Sequence, residues 1–183
     1  MEHQPILITE RLKLRPFTLA DATDVQRLAG HRLIASTTLR IPHPYTDGIA
    51  EKWIETQRRD FEEGKLVNFA ITRRPHNFIT GSIGLIIDTD HNNAELGYWV
   101  GKPYWNQGYA TEAARHVVKY AFEVLNLHRV HAHHFVRNSQ SGRVIQNIPL
   151  IHEGTLKQHI KKWQQYEDIV IYGITKKDWK KAT

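Results

Sequence analysis

Hydrophobic and polar residues alternate near the start of the chain, where Leu12 and Leu14 are interleaved with Arg11, Lys13 and Arg15. This period of two predicts a half-buried strand, ended by Pro16, whose ring offers no N–H to a ladder. The period then lengthens. Ala22, Val25, Leu28 and Ala29 mark one face of a helix that opens at Thr18, with Asp21 three residues on as a capping box, and ends at Gly30. A second amphipathic helix places Ile49, Trp53, Ile54, Gln57 and Phe61 on one side, capped by Thr46 or Asp47 and closed by Gly64. Pro42-His43-Pro44 imposes a loop between the two.

Short β-rich runs follow at 66–72, 79–88 and 94–100, separated by Arg74-Pro75-His76-Asn77 and Asp90-His91-Asn92-Asn93. They predict an antiparallel meander. Helical spacing returns over 111–125, then a strand over 129–136, a short helix over 139–146, and two late strands over 151–156 and 168–175. Residues 157–165 are too polar for a core, and the C-terminal lysines read as a solvated tail. No repeat, low-complexity tract or linker interrupts the pattern, so residues 1–183 are expected to form one mixed α/β domain.

Composition narrows the chemistry. A chain of 183 residues can bury a sizeable core without metal or disulfide support. The absence of cysteine excludes disulfides, cysteine-ligated zinc and thiol nucleophiles, so any acyl transfer is direct or uses another nucleophile. No run approaches the roughly 20 apolar residues of a membrane span, and no apolar leader opens the chain, so a soluble cytoplasmic protein is expected. The formal net charge of +6 favours anionic ligands without choosing among a phosphate-bearing cofactor, RNA and a ribosome surface.

The choice comes from one segment. Gly97-Tyr98-Trp99-Val100-Gly101-Lys102-Pro103-Tyr104-Trp105-Asn106-Gln107-Gly108-Tyr109-Ala110-Thr111-Glu112-Ala113 reads as strand, tight loop and helix start. Small residues at Gly108 and Ala110 let a phosphate approach the unpaired first N–H groups of the helix. A Walker loop would require Lys-Ser or Lys-Thr after its last glycine, and Tyr109-Ala110 stands there. A dinucleotide fingerprint would require three glycines and an acidic residue about 20 positions on. Neither is present.

The frame Trp105-Asn106-Gln107-Gly108-Tyr109-Ala110 instead resembles the acetyl-coenzyme A loop of the GCN5-related N-acetyltransferases (GNAT), Arg/Gln-x-x-Gly-x-Gly/Ala, with Trp105 in place of the usual first residue. Tyr-Trp before the loop and Gly-Tyr-Ala-Thr-Glu-Ala after it resemble the RimJ/RimL branch of ribosomal-protein N-terminal acetyltransferases. Glu10 to Pro16, the Asn138-Ser139-Gln140-Ser141 turn, His152-Glu153-Gly154 and the closing Ile174-Thr175-Lys176-Lys177-Asp178-Trp179 extend the likeness along nearly the whole chain. One departure is clear. Asn147-Ile148-Pro149-Leu150 stands where the family carries Gly-Phe, and proline cannot imitate a glycine with positive φ.

This resemblance implies a central, mostly antiparallel twisted sheet of about seven strands flanked by helices, and transfer of acetyl from acetyl-coenzyme A to a primary amine. Backbone N–H groups of Asn106, Gln107, Gly108, Tyr109, Ala110 and Thr111 would face the pyrophosphate. Trp99 and Val100 would pair with pantetheine, and the acetyl carbonyl would meet a backbone N–H near Val100. Asn138 would contact the pantetheine amides and Ser141 the thiolate. Glu95 or Glu153 would draw the amine proton through water. The acceptor implied first is a protein N-terminal α-amine, with a polyamine or an aminoglycoside-type antibiotic as alternatives.

Blander readings stand beside these. Asn138 and Ser141 suit a helix cap, Glu95 an exposed strand carboxylate, Glu153 a turn, and Val100 the core. Glu112 favours the helix dipole and is expected to point away from a phosphate. His128, His131, His133 and His134 cluster in one strand, yet alternation puts His134 opposite His131 and His133, so no metal is expected. Trp53, Tyr104, Trp105 and Trp163 would have to share an open basic face to stack on RNA, and no RNA-recognition signature accompanies them. A non-catalytic acyl-coenzyme A or RNA-binding module is the alternative to the enzyme. A homodimer is compatible with the sequence, whereas membrane and nucleic-acid partners are not expected.

Overall fold

The computed structural model describes residues 3–182. Its strands are β1 (Leu7–Ile8), β2 (Leu12–Arg15), β3 (Leu66–Arg73), β4 (Ile79–Asp88), β5 (Asn93–Val100), β6 (Arg129–Phe135), β7 (Ile151–Lys162) and β8 (Gln165–Thr175). They form one sheet in the order β1-β2-β3-β4-β5-β6-β8-β7. The helices are α1 (Ala22–Ala29), α2 (Arg32–Thr37), α3 (Ile49–Glu62), α4 (Tyr109–Glu123), α5 (Ser139–Gln146) and α6 (Lys176–Ala182).

The two faces of the sheet follow the alternation of its strands. On one face, Ala113, Val117, Val118 and Ala121 of α4 pack with Ile83, Leu85, Leu96 and Val130 in the larger core. On the other, Val25 and Leu28 of α1 and Ala50 and Ile54 of α3 pack with Ala70 and Ile79. Asp21 anchors this second layer. Its carboxylate accepts from both Arg15 Nη atoms at 2.7 and 2.8 Å and from the Thr18 N–H at 2.8 Å, completing the capping box. Burial opposes its ionisation, but these bonds prevail and hold its pKa below the usual carboxylate range.

Neighbouring strands pair antiparallel everywhere except at β5 and β6, where α4 makes the crossover that a parallel pair requires. That parallel register is short. Asn93 faces Arg129, Ala94 faces Val130 and Glu95 faces His131, and there the pairing stops. Beyond it β5 and β6 splay apart, leaving half of β5 without a ladder partner on that side.

The sheet has eight strands where seven were expected, because the two-residue β1 carries no alternation to detect. Helix α2 was likewise too short to show a period. Helix α3 takes Gly48, with φ +82°, as its N-cap, one residue beyond Asp47, whose carboxylate accepts from Gln26 at 2.7 Å. Residues 157–165 extend the β7–β8 hairpin, since an exposed edge strand needs no apolar face. The lysine-rich end is helix α6, held by Trp179, which is buried and stacks on Phe122 at 5.2 Å. Among the described residues no helix is long and apolar enough to cross a membrane.

Candidate active site

The splay between β5 and β6 opens into a cleft of about 970 Å³ that reaches from the start of α4 to the segment joining α2 and α3. Ladder alternation sets what β5 offers to it. The Gly101 N–H donates to the Thr80 carbonyl at 2.8 Å, so Gly97 and Trp99 turn their backbone groups to β4, and Tyr98 and Val100 turn theirs into the splay. The Trp105 indole N–H takes the Val100 carbonyl at 2.6 Å. The Val100 N–H is left facing the cleft as a donor.

At one end of the cleft lies the start of α4. Asn106 and Gly108 have φ of +60° and +77°, and Gly108 is the N-cap, with no side chain capping the helix. The N–H groups of Tyr109, Ala110 and Thr111 therefore lack both intrahelical and side-chain acceptors, which is how a helix N-terminus receives an anion. Glu112 does not oppose one. It accepts from the Thr9 hydroxyl at 2.5 Å, the Arg11 N–H at 2.9 Å and Arg11 Nε at 2.7 Å. Burial disfavours its charge, but those bonds outweigh it and lower its pKa. Arg11 in turn donates to the Gln107 carbonyl at 3.0 Å and lies over the Tyr109 ring at 5.0 Å, fastening the loop to the sheet. The alternation around Leu12 marks Arg11 only as an outward strand residue, and nothing in its local spacing signals a partner so distant in sequence.

A hydroxyl pair sits deeper in the cleft. Tyr98 Oη lies 2.7 Å from Ser141 Oγ and donates to the Ser141 carbonyl at 3.1 Å. Burial drives the Tyr98 pKa well up, against a smaller opposing effect of the Ser141 bond, so the phenol stays protonated. The sequence assigns Tyr98 no role, and its only signal is that it shares a strand face with Val100. Asn138 caps α5, its Oδ1 accepting from the Ser141 N–H at 3.3 Å, and the residue lines the cleft.

Glu95, Gly97 and Trp99 alternate onto the opposite face of β5, the one covered by α1 and α3. Glu95 Oε1 is 3.5 Å from His133 Nδ1, and both line the cleft. Above Gly97 the space is open, since a Cβ there would meet nothing within 4 Å. Beside it a polar relay is already satisfied. Ser82 donates to Asn68, Asn68 to Gln57, and Gln57 to the Trp53 carbonyl, each at 2.8 Å. The outer wall, residues 36–41, is held by two cations. The buried Lys162 donates to the carbonyls of Leu39 and Ile41 at 3.3 Å each, and Arg137 donates to the Ser36 carbonyl at 2.6 Å.

The structure does not bring Glu153 to this cleft. It stands on β7, bonded to Arg129, whose guanidinium lowers its pKa. The histidines separate as alternation requires. Burial pushes the His131 pKa down, His133 meets Glu95, and His134 turns to the other face and stacks on Tyr172 at 5.9 Å. Among the described residues no three His, Cys, Asp or Glu side chains are grouped to hold a metal. Of the four aromatics considered for stacking, Trp53 packs on Phe17 at 4.8 Å, Tyr104 on Phe78 at 5.8 Å, and Trp105 bonds Val100, while only Trp163 is exposed.

Comparison with known proteins agrees with this geometry. The acetyltransferase (GNAT) domain family matches residues 11–149. The chain is similar to the uncharacterized N-acetyltransferase YoaA of Bacillus subtilis, at 30% identity over 94% of this chain and 97% of that one. It superimposes on a GNAT-family acetyltransferase from Bacillus anthracis with a TM-score of 0.84 at 25% identity, covering 94% of this chain and 99% of the other. RimL, a ribosomal L7/L12 alpha-N-protein acetyltransferase solved in complex with coenzyme A, shares the fold with a TM-score of 0.85 at 16% identity, over 93% and 98% of the two chains.

Proposed function

The chain belongs to the GNAT acetyltransferase family, and from that premise we propose that it moves acetyl directly from acetyl-coenzyme A to a primary amine, foremost the N-terminal α-amine of a protein. The observation that carries this reading is the β5–β6 splay, which presents an uncapped helix N-terminus, a backbone donor, a hydroxyl pair and a carboxylate along one cleft. The residues suit the coenzyme. Gly108 as N-cap leaves room for a pyrophosphate, and the free edge of β5 can pair with an extended amide chain such as pantetheine.

Acetyl-coenzyme A supplies an activated thioester; the protein supplies position and proton handling. The Val100 N–H faces the developing oxyanion. Glu95 takes, through water, the proton that turns the bound ammonium into the amine that attacks, and His133 orients the carboxylate; the proton shed as the carbon–nitrogen bond forms leaves to solvent. Ser141 gives its proton to the departing sulfur as the carbon–sulfur bond breaks and recovers one from solvent, while Tyr98 holds the hydroxyl in place through their short hydrogen bond. Trp99, Asn138 and the 106–111 backbone hold the donor. Glu153 has no part in this scheme.

Two-substrate kinetics with acetyl-coenzyme A and a peptide bearing a free N-terminus test the reading. Expected are free thiol and acetylated peptide in equal amounts, and intersecting double-reciprocal lines. Parallel lines with an acetylated protein would contradict direct transfer, and no thiol release from any amine would contradict the activity.

A further inference from the structure

The acceptor side of the cleft has a chemistry of its own, and its interpretation rests on the activity proposed above. We infer that the acceptor is a monoamine with an apolar or aromatic body, specifically a peptide whose first residue is apolar, and that polycationic amines are excluded. Glu95 is the single carboxylate among the described residues lining the cleft; Arg137 in the same lining is neutralised by Glu167 at 2.8 Å, whereas Arg40 adds a positive charge. Arg40 is exposed and, among the described residues, has no acidic partner.

One carboxylate pairs with one ammonium. A second or third amine of a polyamine entering this chamber would lose its hydration without a counter-charge, which opposes binding. The neutral polar groups do not substitute for one, because Ser82, Asn68 and Gln57 already bond one another and the Trp53 carbonyl.

The walls instead suit hydrocarbon. Ile34, Ile41, Tyr45, Trp53 and Trp99 line the chamber, and Leu33 and Leu39 stand at its rim with 44% and 40% of their surface exposed. Open space above Gly97 leads from this apolar wall to Glu95 on the same strand face. An α-amine set against Glu95 would thus place an adjoining apolar side chain against Trp53 and Trp99. The exposed Arg40 in the cleft lining can donate to carbonyl oxygens of the following residues.

The test compares kcat/KM for three acceptors at saturating acetyl-coenzyme A: a tetrapeptide amide beginning with Leu, the same peptide beginning with Lys, and spermidine. The Leu peptide is expected to exceed the Lys peptide by about tenfold and spermidine by about a hundredfold, one carboxylate lacking at each extra charge. Leu39→Glu, at an exposed position that tolerates charge, should narrow the gap to spermidine at least about tenfold by adding the missing counter-charge. Equal or better use of spermidine by the native protein overturns this inference while leaving acetyl transfer intact. An unchanged spermidine preference in a folded Leu39→Glu protein also counts against it. No thiol release with any of the three overturns both readings together.

Discussion

Replacing Gly108 by Glu is expected to raise the dissociation constant for acetyl-coenzyme A by at least about a hundredfold. Two effects add. At φ +77° a side chain is strained, at about 1–2 kcal/mol for a residue other than glycine, which the free loop relieves by shifting and which binding then has to restore. A carboxylate near a pyrophosphate oxygen adds repulsion of a few kcal/mol at the dielectric of a protein surface, where two unit charges 4 Å apart interact by about 4 kcal/mol. Since about 1.4 kcal/mol is a factor of ten, the sum passes a hundredfold. Gly108→Ala separates the effects, because it carries the strain alone and should cost only about fivefold to thirtyfold. Position 108 is exposed and a Cβ there meets only Arg11 Nη2, at 3.3 Å, so both variants should fold. Isothermal titration with acetyl-coenzyme A makes the measurement, and similar affinities for the Gly108→Glu variant and the native protein would remove the loop from the binding site.

The second large effect is on turnover. Glu95→Gln keeps the shape of the side chain and removes its ability to take a proton, so kcat should fall by about 10²–10⁴, the usual range for loss of a general base. The KM for acetyl-coenzyme A should stay within about twofold, because Glu95 lies on the face of β5 opposite the hydroxyl pair. The sign with pH follows. An α-amine has a pKa near 7.7–8.0, so raising the pH above that range supplies amine that has already shed its first proton. The deficit of the variant should therefore shrink as pH rises from about 7 to 9. A deficit independent of pH, or one expressed in the KM for acetyl-coenzyme A, would make Glu95 a structural residue.

Much of this architecture was legible in local periodicity. The runs over 66–72, 79–88 and 94–100 became β3, β4 and β5 nearly to the residue, because each alternates over two well-packed faces. The short helix after Asn138 was readable from its cap. What periodicity could not give was pairing between distant segments. Glu112 and Arg11 each look like ordinary surface charges, yet they bind one another across the β1–β2 turn and brace the loop. The phenol of Tyr98 meets Ser141 only because β6 splays from β5 and carries α5 beside it. Glu153 lies outside the cleft lining for the same reason, since on β7 it bonds Arg129, which no spacing rule anticipates.

The altered Asn147-Ile148-Pro149-Leu150 turn shows a further limit of pattern. Ile148 and Leu150 are buried, and the Asn147 carbonyl accepts from Arg115 of α4 at 3.0 and 2.8 Å. The turn is thus fixed by apolar packing and one guanidinium instead of a left-handed glycine. Asn147 lines the cleft where it meets α4, while residues of α1, α3 and 37–41 line it elsewhere.

In the proposed mechanism the β5–β6 splay holds the thioester between Ser141 and Glu95. A crystal structure of the protein grown with acetyl-coenzyme A tests it most directly. The account predicts pantetheine along the free edge of β5, the acetyl oxygen about 3 Å from the Val100 N–H, sulfur within hydrogen-bond reach of Ser141 Oγ, and pyrophosphate on the N–H groups of residues 108–111. Acetyl-coenzyme A bound with its thioester outside the splay, or with its pyrophosphate away from the start of α4, would contradict it.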